Sequence, residues 1–365
     1  MDCTYAADNF FGPRVHGCRD FDFTLQFEQT ILQAAPSALL LLSVPARIWF
    51  LRKQTLKSRR SKMTLLKLAA AVLLAGTQIT MLSLWASAPK QRTPASIPAA
   101  TVSTLGALAL VLLSGLEDKR SVRPSAIINT YMLFSLVLDI PQARTLWLRP
   151  GPTSLPCVFS VGMAVKAISL CLEAITKKRF LFPAYRSIAP EMLVNLYNRT
   201  LLWWLNPMFL LGFKSQLSFE DLTPIDSDLS SKRLDLQFRT LWARYESYPG
   251  RALLWALIIQ CRVSVMAFMV PRLFLSAFRL SQPLLISSIT SIMAKSVSQD
   301  STSAGRGLIG ATALVYCGLA LSNVTYKRQL QRFQTQLRGV LVTSLYGKML
   351  ALPSETLVDN KTVTL

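Results

Sequence analysis

Histidine is almost missing from this chain. Its one copy, His16, stands near the start of 365 residues, so a catalytic triad built on an interior histidine is excluded. The six cysteines are scattered without C-x-x-C spacing, and without grouped ligands the usual zinc sites are excluded too. Charge is scarce, at 16% of residues against roughly 25% in a soluble domain. The first 22 residues hold Asp2, Asp8, Asp20 and Asp22, which is not the pattern of a cleavable signal.

What is present is apolar. Hydrophobic residues make up 51% of the chain and the mean hydropathy is +0.36. The net charge of +21 raises the question of nucleic acid. The basic residues cluster between apolar runs rather than on a soluble surface, so the expected partner is a lipid bilayer and not nucleic acid. Five runs have the ~20 residues that cross ~30 Å of hydrocarbon: Ile31–Phe50, Leu65–Trp85, Ile97–Leu116, Ala126–Leu146 and Cys157–Ile175. The first of them is expected to act as the membrane-targeting signal.

The loops between the runs alternate in basic content. The first holds Arg52, Lys53, Lys57, Arg59, Arg60 and Lys62, and the second only Lys90 and Arg92. The third holds Lys119, Arg120 and Arg123, and the fourth Arg149 with Arg144 at its edge. Lys177, Lys178, Arg179 and Arg186 follow the fifth run. The positive-inside rule then predicts an N-terminus outside the cytosol. Loop one, Arg52–Lys62, reads first as a topology determinant and second as a surface for anionic headgroups. Cys3 and Cys18 fall on the predicted outer side, where a disulfide can persist.

Leu201–Phe213 is apolar but too short to span. Asn206-Pro207 interrupts it, and Trp203 and Trp204 suit a membrane–water boundary. A helix lying on the membrane is expected there, within a cytosolic linker over 180–249 that also carries a helix over Leu229–Tyr245. Two longer apolar elements follow. Leu253–Met293 contains Pro271 and Pro283 and should kink there; it would measure about 60 Å. The second runs from Gly307 to Leu352, about 69 Å. From Tyr326 it turns amphipathic, with a stripe of Leu330, Phe333, Leu337, Val340, Leu341 and Leu345. The turn Ala294–Arg306 is expected outside.

Several polar residues stand in apolar surroundings. Asp139 lies seven residues before Leu146 and Lys166 nine after Cys157, so their depths match. Intramembrane charges pair or face a cavity, which gives either a structural ion pair or an ion path. Arg272 and Arg279 share one face of the first long helix, with Gln282 partway round and Phe278 nearby. Arg272 reads as snorkelling to headgroups and Arg279 as facing a substrate cavity. Phe278 reads as core packing or cavity wall. The sequons at Asn198, Asn323 and Asn360 fall in the cytosol or in a helix, so none is expected to carry glycan.

Trp204-Leu205-Asn206-Pro207, Gly212-Phe213-Lys214, Leu217 and Glu220-Asp221-Leu222 resemble the linker signature of the C-subfamily, multidrug-resistance-associated ABC exporters. Phe21-Asp22-Phe23-Thr24-Leu25, Phe27-Glu28-Gln29 and Pro36-Ser37-Ala38-Leu39 are similar to fungal members. Arg338-Gly339 and Leu345-Tyr346-Gly347-Lys348-Met349-Leu350 resemble the family's inner-helix pattern. Trp204, Asn206, Pro207 and Asp221 carry the linker match.

The resemblance implies an all-α integral membrane protein in three parts. A five-span N-terminal module covers 1–179, the linker 180–249, and the first two helices of a transport domain 250–365. It implies ATP-driven efflux of small organic compounds, anionic, conjugated, xenobiotic or secondary-metabolite, across the plasma membrane or the vacuolar membrane. The sequence holds no G-x-x-x-x-G-K-[ST] and no LSGGQ-like segment; Gly347-Lys348 lacks the upstream glycine and the following Ser or Thr. No cofactor is therefore expected on this chain, whereas ATP and Mg are implied for a full-length parent with nucleotide-binding domains. The matching expectation is a fragment of a transporter gene, or a mis-predicted gene, ahead of a naturally truncated product. The rival readings are a regulatory or docking membrane module and a seven-helix receptor. The linker between runs five and six and the length of the last helix weigh against the receptor.

Overall fold

The computed structural model describes residues 5–12, 15, 22–58, 62–176, 181–182, 189–224, 226–245, 252–294 and 299–351. The Cys3–Cys18 pair, the Asn360 sequon and the basic groups Arg59, Arg60, Lys177, Lys178, Arg179 and Arg186 lie outside these residues. The described residues are helical or in turns, apart from one bridge between Ser58 and Leu181. Seven of their helices are long and apolar enough to cross a membrane. The chain divides into two compact units, Met1–Asn206 with Ser291–Leu308, and Pro207–Thr290 with Ile309–Leu365.

The first unit is built on α1 (Leu25–Arg52), α2 (Lys62–Ser87), α3 (Ser96–Arg120), α4 (Ala126–Leu148) and α5 (Ser154–Ala174). Thr24 starts α1, its hydroxyl accepting from Phe27 N–H and donating to Gly12 O. Within α1, Glu28–Ala34 is π-helical. Pro36 follows directly, has no N–H, and its ring crowds the carbonyl four residues back, so a widened turn relieves the strain. Ser125 caps α4 by accepting from Ile128 N–H. Each helix is longer than its apolar run, because polar residues at the ends still complete the backbone hydrogen-bond ladder.

The polarity of this bundle is inverted relative to a soluble one. Leu39, Leu42, Leu112, Phe134 and Ile168 point outward, while Glu28, Gln29, Asn129, Gln142 and Thr145 are fully enclosed. Apolar residues outside and polar groups paired inside is the arrangement a lipid solvent demands. Apolar packing fills two layers between the polar ones. Leu51, Leu74, Leu110, Leu113 and Ile128 pack together, as do Leu25, Met81, Trp85, Ala100 and Leu155.

The second unit contains most of α6 (Asn206–Lys214), then α7 (Ser231–Tyr245), α8 (Ala252–Met293) and the greater part of α9 (Gln299–Ala351). The predicted outer turn Ala294–Arg306 is corrected: Gln299–Arg306 is already helical. These residues are polar, so they fall outside an apolar window, yet nothing in them breaks a helix. The predicted surface helix from Leu201 is corrected as well. Leu202 is left-handed with φ 56°, Trp203–Leu205 is a 3-10 turn, and the α-helix begins at Asn206. Pro207 opens this helix instead of interrupting it, since its missing N–H costs nothing in the first turn.

Candidate functional site

At mid-bundle, Lys166 Nζ on α5 donates to Asp139 Oδ2 on α4. The two residues are 7% and 2% exposed, so neither charge reaches solvent. A polar chain runs alongside. Gln142 donates to Gln33 Oε1 (3.0 Å), Gln33 donates to Ser103 Oγ (3.2 Å), and Ser37 meets the Tyr131 hydroxyl (3.2 Å). Gln33, Ser37, Ser103, Tyr131, Asp139 and Lys166 border a cavity of about 10 Å³, room for roughly one water. The arrangement joins α1, α3, α4 and α5 through groups that lipid cannot satisfy.

Two further polar layers escaped the sequence reasoning. At the end bearing loops one and three, Arg47 grips Glu117 through Nε (2.7 Å) and a second nitrogen (3.3 Å), and Ser125 donates to the same carboxylate (3.1 Å). Lys67 lies between Glu173 (3.4 Å) and Asp118 (3.6 Å), and Ser114 also donates to Glu173. At the opposite end Arg149 pairs with Asp8 (2.9 Å) and Arg144 with Asp22 (3.0 Å). Thr145 lies within hydrogen-bonding distance of both Asp22 (3.0 Å) and Glu28 (2.8 Å). Gln29 accepts from Thr93 (2.6 Å) and Ser96 (2.9 Å). The available signal was the clustering of acidic and basic residues at matching helix ends.

The start of the linker is tied to the bundle. Phe182 N–H donates to Lys57 O (3.2 Å) beside the Ser58–Leu181 bridge. Asn195 donates from its side chain to Ala174 O (2.7 Å) and caps Asn198 N–H (2.7 Å). The Tyr197 hydroxyl donates to Asn129 O (2.7 Å), and burial pushes its pKa up to about 12, so it stays a neutral donor at physiological pH. Among the predicted linker residues, Trp204 is half-buried while Asn206, Pro207 and Asp221 are exposed. Leu217 folds back over Gly212. Ser218 N–H and its hydroxyl both donate to Asp221 Oδ2 (3.0 and 2.9 Å). Those two bonds hold the Asp221 carboxyl below its usual range.

In the second unit α8 and α9 run antiparallel in contact. Ser264 donates to Gln336, Phe268 packs on Phe333 (5.4 Å between centroids), and Phe278 lies against Gly318. A methyl at Gly318 would collide with the Phe278 ring. Arg272 stacks over the Tyr326 ring at 5.1 Å. Gln282 is half-buried, and Arg279 is exposed with no ion pair to a described residue. The amphipathic stripe of α9 meets α7: Val340 packs with Leu234, Phe238 and Ala256, and Arg332 pairs with Asp226 at 2.6 Å.

A polytopic all-α membrane protein, with ion pairs buried inside an N-terminal helical bundle, is the class these features define. Residues 7–172 match the ABC transporter TMD0 domain, and the chain therefore carries the TMD0 module of the ABC transporters. The relatives are fungal. An ABC-type transporter of Gibberella zeae is 34% identical over 345 residues, covering 94% of this chain and 23% of the relative. ABC multidrug transporter B of Aspergillus fumigatus is 35% identical over 335 residues, covering 91% and 23%. An ABC transporter of Emericella nidulans is 32% identical over 369 residues, covering 100% and 24%. The chain thus spans about a quarter of the length of the curated relatives it matches.

Proposed function

We propose that this chain is the N-terminal part of an ATP-driven exporter of the C-subfamily, moving anionic or conjugated organic compounds out of the cytosol. The observation that carries the reading is similarity running through α8 and α9, well past the TMD0 module, to fungal ABC transporters. On this reading, 1–179 form the accessory module, 180–249 the linker, and 250–365 the opening of the transport domain, with the N-terminus outside the cytosol. Arg279, Gln282 and Phe278 of α8 line the substrate path, with Arg272 at its inner edge. ATP and Mg are held by nucleotide-binding domains of the parent, which supply the force that rocks α8 and α9. The plasma membrane is the proposed site and the vacuolar membrane its alternative.

The test is uptake into inside-out vesicles bearing the product of the parent gene. ATP-dependent accumulation of a glutathione conjugate supports the reading. Failure to accumulate any of a panel of anionic conjugates, with ATP hydrolysis intact, overturns the substrate class. Absence of a phosphate-binding G-x-x-x-x-G-K-[ST] in the parent gene overturns the transporter itself.

A further inference from the structure

We infer that the module holds the phosphate of an anionic phospholipid in a pocket beneath the first turn of the linker. A cavity of about 330 Å³ opens among the end of α1, the α3–α4 loop and the short helix Leu196–Thr200. Its lining includes Arg47, Arg123 and Arg199, with Ser121 beside them and Ile127 and Leu196 as apolar wall. No carboxylate belongs to the lining. Arg47 is neutralised in part from behind by Glu117. Arg123 has no carboxylate among the described residues; its guanidinium points at Met192 Sδ, which leaves its charge uncompensated. Guanidinium forks match the oxygens of a phosphate.

The position selects a lipid over other phosphates. Arg47 lies within two turns of the end of α1, and Trp49 and Phe50 beside it face outward. Aromatic residues at a helix end mark the headgroup level. The basic loops flank the same end, where anionic lipids gather. The volume is of headgroup size, and one wall is apolar enough to admit the first carbons of the acyl region. Arg199 and Leu196 belong to the linker, whereas Arg47 and Arg123 belong to the bundle. A bound phosphate would therefore bridge the two, beside the hydrogen bonds from Tyr197 and Asn195. This inference rests on the orientation proposed above, which puts this end at the cytosolic leaflet, but not on the proposed substrate class.

The experiment uses the full 365-residue chain purified in a neutral detergent. Short-chain phosphatidylserine, phosphatidylcholine and inorganic phosphate are each titrated, read by the change in thermal unfolding and by native mass spectrometry. Phosphatidylserine is expected to bind and phosphatidylcholine to bind at least tenfold more weakly. Arg123→Gln and Arg199→Gln should each weaken phosphatidylserine about fivefold. Arg123→Lys, which keeps the charge but not the fork, should recover part of the loss and guards against a folding defect. Equal binding of the two lipids, or wild-type affinity in both Gln variants, overturns the site. Inorganic phosphate binding as tightly as the lipid would overturn the lipid source and assign the pocket to a soluble phosphate.

Discussion

Lys166 reaches across from α5 to Asp139 on α4, and both residues are buried. Removing one partner strands the other charge. Asp139→Ala or Lys166→Ala is expected to cost about 3–5 kcal/mol, which a bundle of this size shows as lost expression. Exchanging both charges, Asp139→Lys with Lys166→Asp, should restore the monodisperse peak of a fluorescent fusion in size-exclusion chromatography. If the exchange rescues nothing, the pair does not act as a self-contained bridge.

Arg279 is exposed on α8 without an ion pair to a described residue. Charge-assisted hydrogen bonds are worth about 1.5–3 kcal/mol. Arg279→Ala in the full-length parent should therefore raise the KM for an anionic conjugate about tenfold or more, while leaving that for a neutral compound near its original value. An unchanged KM for anionic cargo removes Arg279 from the substrate path. Arg272, already committed to the Tyr326 ring, should show the smaller effect when replaced.

The Ser218–Asp221 box gives a pH dependence whose sign follows from the lowered carboxyl. Asp221 binds its proton less tightly folded than unfolded, so its contribution is present above the ordinary carboxylate value of 3.8 and is lost as pH falls below it. Protection of the Ser218 amide, its exchange rate relative to an unstructured chain at the same pH, should be present near neutrality and be lost in acid. Asp221→Asn should lack that protection at both pH values. Protection that ignores pH would show that another bond holds the turn.

No glycan is expected on Asn198 or Asn323. Asn198 sits within the short helix Leu196–Thr200 with its N–H capped by Asn195, and Asn323 is central in α9. Glycosidase treatment of the expressed chain should leave its gel mobility unchanged. A downward shift that Asn198→Gln abolishes would place that segment outside the cytosol and reverse the proposed orientation.

The seven spans were legible because length and apolarity are one-dimensional properties, and the bilayer reads them in the same way. The Asp139–Lys166 relationship was legible from depth alone, since two adjacent helices of opposite sense bring equal depths together. Arg144 and Arg149 show the limit of such counting. They weigh as loop charges in the positive-inside comparison, yet each is neutralised by an acidic residue of the N-terminal segment, Asp22 or Asp8. Lys67, Asp118 and Glu173 were invisible as a cluster because 106 positions separate Lys67 from Glu173, and only helix packing unites them. The apolar run from Leu201 did not reveal the break at Leu202, whose left-handed backbone ends one helix and permits the next and has no signature in residue type.

Helix α9 runs 53 residues without interruption, about 80 Å of continuous rod. A rod of that length is a lever. Tilting it by about 5° displaces its far end by about 7 Å, on the order of the helix's own width. A modest rearrangement at one end therefore becomes a large stroke at the other. Stiffness in α9 would carry that stroke, and a proline within Tyr326–Leu345, where Phe333 packs on α8 and Val340 on α7, should break the rod and those contacts together.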